Sequence, residues 1–263
     1  MHDDRATLDV VDGVAELRLN RPDAANGIDP AMVDALDDAV RAVESSSDAR
    51  VLLITAAGRH FCVGGDLQHF HAHIDDIHGQ LDQMISTWHR STLRRLAHLP
   101  IPVVAAARGG AGGGGLGLLW GADVVIAGDD LRLVTGFTKL GMTGDGGSSW
   151  HLPRLVGMRR AQQLTLRSAP LTAAEALEWG LVSQVVPAAD ADDVARAEAR
   201  ALAAGPTWAY GKIKGLLADG LLRSYDDQLV AELDTMLDGA GRDDVREGIL
   251  AFVERRDPKF DGR

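Results

Sequence analysis

At 263 residues, 46% of them hydrophobic and 25% charged, the chain can bury a substantial core as one large domain or as a core with a smaller appendage. A formal charge of -11, with no dense basic run, excludes a general nucleic-acid binder, because phosphate contacts need clustered Lys and Arg. The single cysteine, Cys62, excludes an intrachain disulfide framework, is compatible with a reducing cytosol, and reads as a small buried residue rather than a nucleophile.

The opening Met1-His2-Asp3-Asp4-Arg5 lacks the basic region and apolar core of a signal peptide. No stretch reaches the ~18–20 uninterrupted apolar residues of a membrane helix, so a cytoplasmic protein is expected. Two strand-like runs, Thr7 to Val11 and Val14 to Leu19, flank the hairpin dipeptide Asp12-Gly13. Asp29-Pro30 supplies a cap and a first-turn proline, and Val33, Leu36, Val40 and Val43 follow at helical spacing, predicting a helix over 30–45. Val51 to Thr55 reads as a buried strand that ends in a loop, Ala56 to Asp66, containing Gly58, Gly64 and Gly65. Ile77, Leu81, Met84, Ile85, Trp88 and Leu96 outline an amphipathic helix that stops before Pro100 and Pro102.

Pro102 to Ala107 is the next buried strand, followed by seven glycines in the nine residues Gly109 to Gly117, a short helix, and a strand from Asp123 to Ala127. Thr172-Ala173-Ala174-Glu175 is a capping box, Gly180 stops that helix, and Leu181 to Val186 reads as a strand. Beyond about residue 190 the pattern is helix after helix, and the Ala- and Asp-rich stretch 188–204 marks the change of composition. The organisation expected is therefore an α/β core over 1–195 and a helical region over 196–263.

Gly112-x-Gly114-x-x-Gly117 matches the dinucleotide fingerprint in form, but such a match arises easily in a glycine run, and no strand-ending acid sits at the usual spacing. The run also lacks the Lys-Ser or Lys-Thr ending of a phosphate loop. Glycines before a helix let an oxygen approach the backbone, where the first free N–H groups point at it. One such donor, joined by a second from the Gly64-Gly65-Asp66 loop, would make an oxyanion hole.

Leu19-Asn20-Arg21-Pro22-Asp23, the segment Gly58 to Leu67, the proline-flanked strand with its glycine run, Leu152-Pro153-Arg154-Leu155-Val156-Gly157, Trp179-Gly180-Leu181-Val182 and Pro258-Lys259-Phe260 carry a resemblance over essentially the whole chain. In order and spacing they resemble the motifs of the enoyl-CoA hydratase/isomerase (crotonase) superfamily. The resemblance implies an α/β spiral of strand–strand–helix units followed by a helical, trimerising C-terminal region, a homotrimer that can pair into a hexamer, and an acyl-CoA thioester substrate with no prosthetic group. It places the two peptide N–H donors of the family on Gly65 and Gly114, where they would polarise the thioester carbonyl and stabilise an enolate.

The two glutamates that activate water in hydratases of this family fall on Gly117 and Phe137, and neither can transfer a proton. Asp145, in a loop of small residues, matches instead the aspartate of double-bond isomerases and of ring 1,2-epoxyphenylacetyl-CoA isomerase, which implies a proton carried from the γ carbon to the α carbon of an enoyl thioester. Capping of the following helix is a second possible role for Asp145. Other readings are hydration of 2-enoyl-CoA, haloaryl-CoA dehalogenation, in which an aspartate at this position attacks the ring, and a silent acyl-CoA-binding protein. The Trp-His pair of the dehalogenases has an echo in Trp88-His89, displaced by one residue, a rotation of ~100° on an α-helix.

Arg21, Arg59 and Lys259 are the candidate partners of the CoA phosphates, and Gly64, Asp66, Leu67 and His69 are expected to bind the acyl-CoA, His69 as a lining of its acyl site. His69 and His73 would share one face of a helix in the His-rich segment 66–78, but no metal is expected there. Trp88, Trp120 and Trp150 read as core or pocket-wall residues.

Overall fold

Asp12 and Gly13 both adopt positive φ (50° and 81°), as a tight hairpin turn requires, and so join β1 (Ala6–Val11) to its antiparallel neighbour β2 (Val14–Leu19). The computed structural model describes residues 4–262; Met1, His2 and Asp3, part of the segment read for a signal peptide, lie outside the described residues, as does Arg263. α1 (Pro30–Ser45) starts where expected: Asp29 accepts a hydrogen bond from Met32 N–H at 2.9 Å, and Pro30 occupies the first turn. Its buried face, including Met32, Leu36 and Val40, covers the sheet and returns the chain to β3 (Val51–Ala56), which pairs parallel to β2 and is buried on both faces.

After β3 the chain forms α2 (Leu67–Ala72), α3 (Ile77–Thr87) and α4 (Arg94–His98). The single amphipathic helix expected through Leu96 is interrupted by a π-helical turn, Trp88–Leu93. Side chains anchor this turn to α1: Thr92 donates to Asp37 at 3.1 Å, and Arg41 donates to Ser91 at 2.9 Å.

Two further windings repeat one pattern of strand, strand, helix. β4 (Val103–Ala107), β5 (Gly110–Gly112) and, after a 3₁₀ turn at Gly113–Gly115, α5 (Leu116–Trp120) form one. β6 (Val124–Gly128), β7 (Arg132–Val134) and α6 (Ser148–Arg167) form the next. β8 (Leu171–Thr172), α7 (Ala173–Glu178) and β9 (Gln184–Val186) complete the two sheets, a six-stranded one ordered β1-β2-β3-β4-β6-β9 and a three-stranded one ordered β5-β7-β8. This is the spiral that the motifs implied. The capping box at Thr172 is formed in full. β9 begins later than expected because Gly180 (φ 76°) reverses the chain and Leu181 N–H is spent on Ala176 O, at 2.8 Å.

α8 (Ala191–Ala203), α9 (Thr207–Gly220), α10 (Tyr225–Gly239) and α11 (Asp243–Glu254) follow, the helical C-terminal region. Residue 195 lies inside α8, whose Ala195, Ala199 and Ala203 pack against Val51, Leu53, Val104, Ala106 and Ile126. Small side chains at this spacing let the helix lie close to the sheet, and Arg196 clamps it by donating to Glu16 on β2 at 2.8 and 3.1 Å. Among the described residues no helix is long and apolar enough to cross a membrane.

Overpacking at that seam is testable. Ala199→Leu is expected to destabilise the fold by about 1–3 kcal/mol, read from denaturant unfolding, whereas Ala197→Leu on the exposed side of the same helix should change little.

Candidate active site

The loops that leave β3 and β4 at their carboxyl ends meet edge to edge. Ile28 N–H donates to Gly64 O and Asp66 N–H to Ile28 O, both at 2.8 Å, which leaves the Gly65 N–H outside the pairing. Gly112 N–H donates to Cys62 O at 2.8 Å, fixing the second loop beside the first. Gly64 (φ +92°) packs so tightly here that a Cβ would stand 2.8 Å from Gly112 O and 3.2 Å from Gly114 N. Only glycine fits. Gly114 is the second residue of the 3₁₀ turn, where N–H groups have no acceptor within the turn. Gly65 and Gly114 both line a cavity of about 580 Å³.

That cavity is mostly apolar, walled by Leu67, Phe70, Met84, Ile85, Trp88 and Phe137. Its lining includes two ionisable side chains, Lys139 and Asp145. Asp145 lies against Gly114, since a Cβ on that glycine would meet Asp145 Oδ1 at 2.8 Å. Oδ1 is inaccessible to solvent and accepts no hydrogen bond. Burial therefore pushes the carboxyl above the ordinary carboxylate range. A charge on the nearby His89 ring would pull it back down, the smaller of the two effects; His89 Nε2 accepts from Gly146 N–H at 3.2 Å. Asp145 does not cap the helix that follows: α6 takes Gly147 as its N-cap, with no side-chain cap bond.

The remaining expected residues separate. Asp66 caps α2, accepting from Gln68 and His69 N–H at 2.9 and 3.3 Å, and pairs with Arg21 at 2.7 Å. Burial alone would raise its pKa; the Arg21 guanidinium and the two backbone N–H groups more than offset this and hold it below the ordinary range. Arg21 is thereby spent inside the loop framework, on Asp66, Asp29 and Gly27 O. Arg59 is exposed and has no ion-pair partner among the described residues, and the Lys259 side chain is likewise exposed at the far end of the chain. His69 turns from the cavity to Gln80, at 2.8 Å, and to His73, ring centroids 4.4 Å apart, so those two do share a face. Among the described residues no group of three His, Cys, Asp or Glu converges as a metal site.

Cys62 is fully buried, with its thiol pushed up to about 12 by burial, and Trp120 is a core residue donating to Ser148 at 3.0 Å. Trp150, by contrast, is 41% exposed beneath Arg154. His89 is the residue whose surroundings spacing alone does not give. A rotation argument assumes 3.6 residues per turn, but the π-helical turn starts at Trp88, setting Trp88 on the cavity wall and His89 against the Asp145 loop. Nothing local in the sequence announces that turn, because its anchor, Asp37, is 55 residues from Thr92.

A family model described as enoyl-CoA hydratase/isomerase matches residues 9–263. The chain belongs to that family. It is 38% identical over 251 residues to the 1,2-epoxyphenylacetyl-CoA isomerase of Escherichia coli (strain K12), covering 95% of this chain and 96% of the relative. It is 30% identical over 254 residues to the trans-2-decenoyl-acyl-carrier-protein isomerase of Streptococcus mutans, covering 97% of each. A crystal structure of an enoyl-CoA hydratase from Bacillus anthracis superposes with a TM-score of 0.92 at 30% identity, covering 98% of this chain and 100% of that one. The relatives thus include isomerases and hydratases, and the protein is an acyl-CoA enzyme of the branch containing the epoxyphenylacetyl-CoA isomerase.

Arg21→Met leaves Asp66 without its cation and Asp29 with Arg5 alone, and should cost about 1–3 kcal/mol of stability in denaturant unfolding. The Asp66 contribution is fully present above the ordinary carboxylate value of 3.8 and is lost as pH falls through the lowered folded value. The Arg21→Met penalty is therefore expected to shrink in acid.

Proposed function

We propose that the protein is an enoyl-CoA isomerase in which Gly65 and Gly114 N–H hold the thioester oxygen and Asp145 is the sole proton carrier. In the 3-enoyl to 2-enoyl direction the Asp145 carboxylate takes the α proton. The C–H electrons form a dienolate whose oxygen rests between the two N–H groups, and the proton returns at the γ carbon. The reverse reaction takes the γ proton and returns it at the α carbon. No water is consumed, so one carboxylate suffices.

The observation that carries this reading is the unpartnered Asp145 oxygen against Gly114, the only carboxylate lining the cavity among the described residues. Hydration by a glutamate pair finds no support, because a Cβ at Gly117 would meet Gly146 O and Leu93 at 2.9 Å, and Phe137 is apolar. Haloaryl displacement by Asp145 is the second reading, favoured by Trp88 on the wall and His89 beside the loop. Arg59 and Lys259, exposed and cationic, are the side chains we assign to the CoA phosphates. We also assign a homotrimer or hexamer, in the cytoplasm. Self-association is supported by apolar side chains left exposed on α9–α11, among them Leu217 (71%), Met236 (74%) and Phe252 (86%), more than a monomer ordinarily leaves in water.

Asp145→Asn and Asp145→Ala should each lower 3-enoyl-CoA isomerisation by roughly 10²–10⁴-fold while acyl-CoA binding persists. Undiminished turnover would remove Asp145 from the mechanism, and release of halide from a haloaryl thioester faster than isomerisation would favour the second reading. In the wild type, kcat/KM should rise with pH through a value above 3.8, since the carboxyl must ionise against its burial, and Asp145→Asn should lose that limb. The sign for folding is opposite. A carboxyl raised by burial gives stability that is present below its unfolded value and lost as pH rises through its folded value, so Asp145→Asn should be the more stable protein at neutral pH. Gly114→Ala keeps the N–H but pushes the carboxylate aside, and should lower kcat by roughly 10²-fold.

A further inference from the structure

A carboxylate with no hydrogen bond of its own cannot hold itself in place, and the loop that carries Asp145 is rich in glycine. Gly144, Gly146 and Gly147 all take positive φ, so this backbone gives up much conformational freedom when ordered. Among the described residues, a single hydrogen bond ties residues 143–147 to any part of the chain beyond this loop and α6. It runs from Gly146 N–H to His89 Nε2, at 3.2 Å. Gly146 is the residue after Asp145. It is seated directly on the 3₁₀ turn, where a Cβ would stand 2.9 Å from Gly114 O and 3.3 Å from Gly117 N.

His89 itself stands on the π-helical turn that Thr92 and Ser91 fasten to Asp37 and Arg41 of α1. A chain of contacts thus leads from α1 through His89 to Gly146. It ends where Asp145 meets Gly114.

We infer that His89 is a positioning residue, whose ring nitrogen seats Gly146 on the glycine turn and so aims the Asp145 carboxylate at the atoms above Gly114. The inference rests on Asp145 being the proton carrier. His89 serves as an acceptor only with Nε2 unprotonated, and it is not among the residues that line the cavity.

His89→Ala should lower kcat for 3-enoyl-CoA roughly 10–100-fold while KM moves by less than about 3-fold, the split expected when a reacting group is misplaced and substrate binding is left intact. Hydrogen exchange at the Gly146 amide should speed up in the same variant. His89→Gln, whose side-chain carbonyl can accept from Gly146 N–H, should restore most of kcat and slow that exchange again. Unchanged Gly146 exchange in His89→Ala overturns the inference, as does His89→Gln as slow as His89→Ala. The two failures are separable: full turnover in Asp145→Asn sinks the proton-carrier reading, whereas faster Gly146 exchange in His89→Ala upholds the seating of the loop whatever the reaction.

Discussion

The close approach of two backbones governs this molecule. Cys62 O accepts from Gly112 N–H, and Gly64 lies so near Gly112 O and Gly114 N that no side chain can intervene. β3 and β4 are parallel neighbours in the large sheet, so the loops leaving their carboxyl ends emerge side by side, the usual place for a ligand in a sheet of this kind. Parallel pairing brings the loops together, glycine lets them touch, and Gly65 and Gly114 both come to line one cavity. Phe70, Met84 and Trp88 make the wall beside them apolar, the surroundings in which peptide N–H donors of the proposed oxyanion hole would act more strongly than in water.

Two aspartates at this site show how environment divides one chemical group between two jobs. Asp66 is given a cation and two backbone donors, so burial is overcome and its charge is secured; it holds the loop in shape. Asp145 is given burial without a donor, so its charge is costly and its affinity for a proton is raised. A secured charge is useful for structure, and a costly one for proton transfer.

The family relationship and this division bear on each other. Relatives named as isomerases and a solved structure named as a hydratase share the framework at about 30% identity or more, so the spiral alone does not choose a reaction. On the proposed function the choice lies in a few positions around the glycine turn and the cavity: a closed space at Gly117, an apolar ring at Phe137 and a carboxylate at Asp145.

By itself the sequence determined what short-range chemistry controls. The Asp12-Gly13 hairpin, the Asp29-Pro30 helix start, the Thr172–Glu175 capping box and the alternation of strand and helix are each written in residues a few positions apart, and each forms. Family motifs added the two glycine loops and Asp145. Only the tertiary structure decided that Arg21 is consumed by Asp29 and Asp66, that His69 faces Gln80 and not the cavity, and that a π-helical turn brings His89 to Gly146. Those outcomes depend on partners up to 57 residues away, as between His89 and Gly146, and on whether a buried oxygen meets a donor. A local pattern carries neither kind of information, because burial and pairing exist only once distant segments have packed.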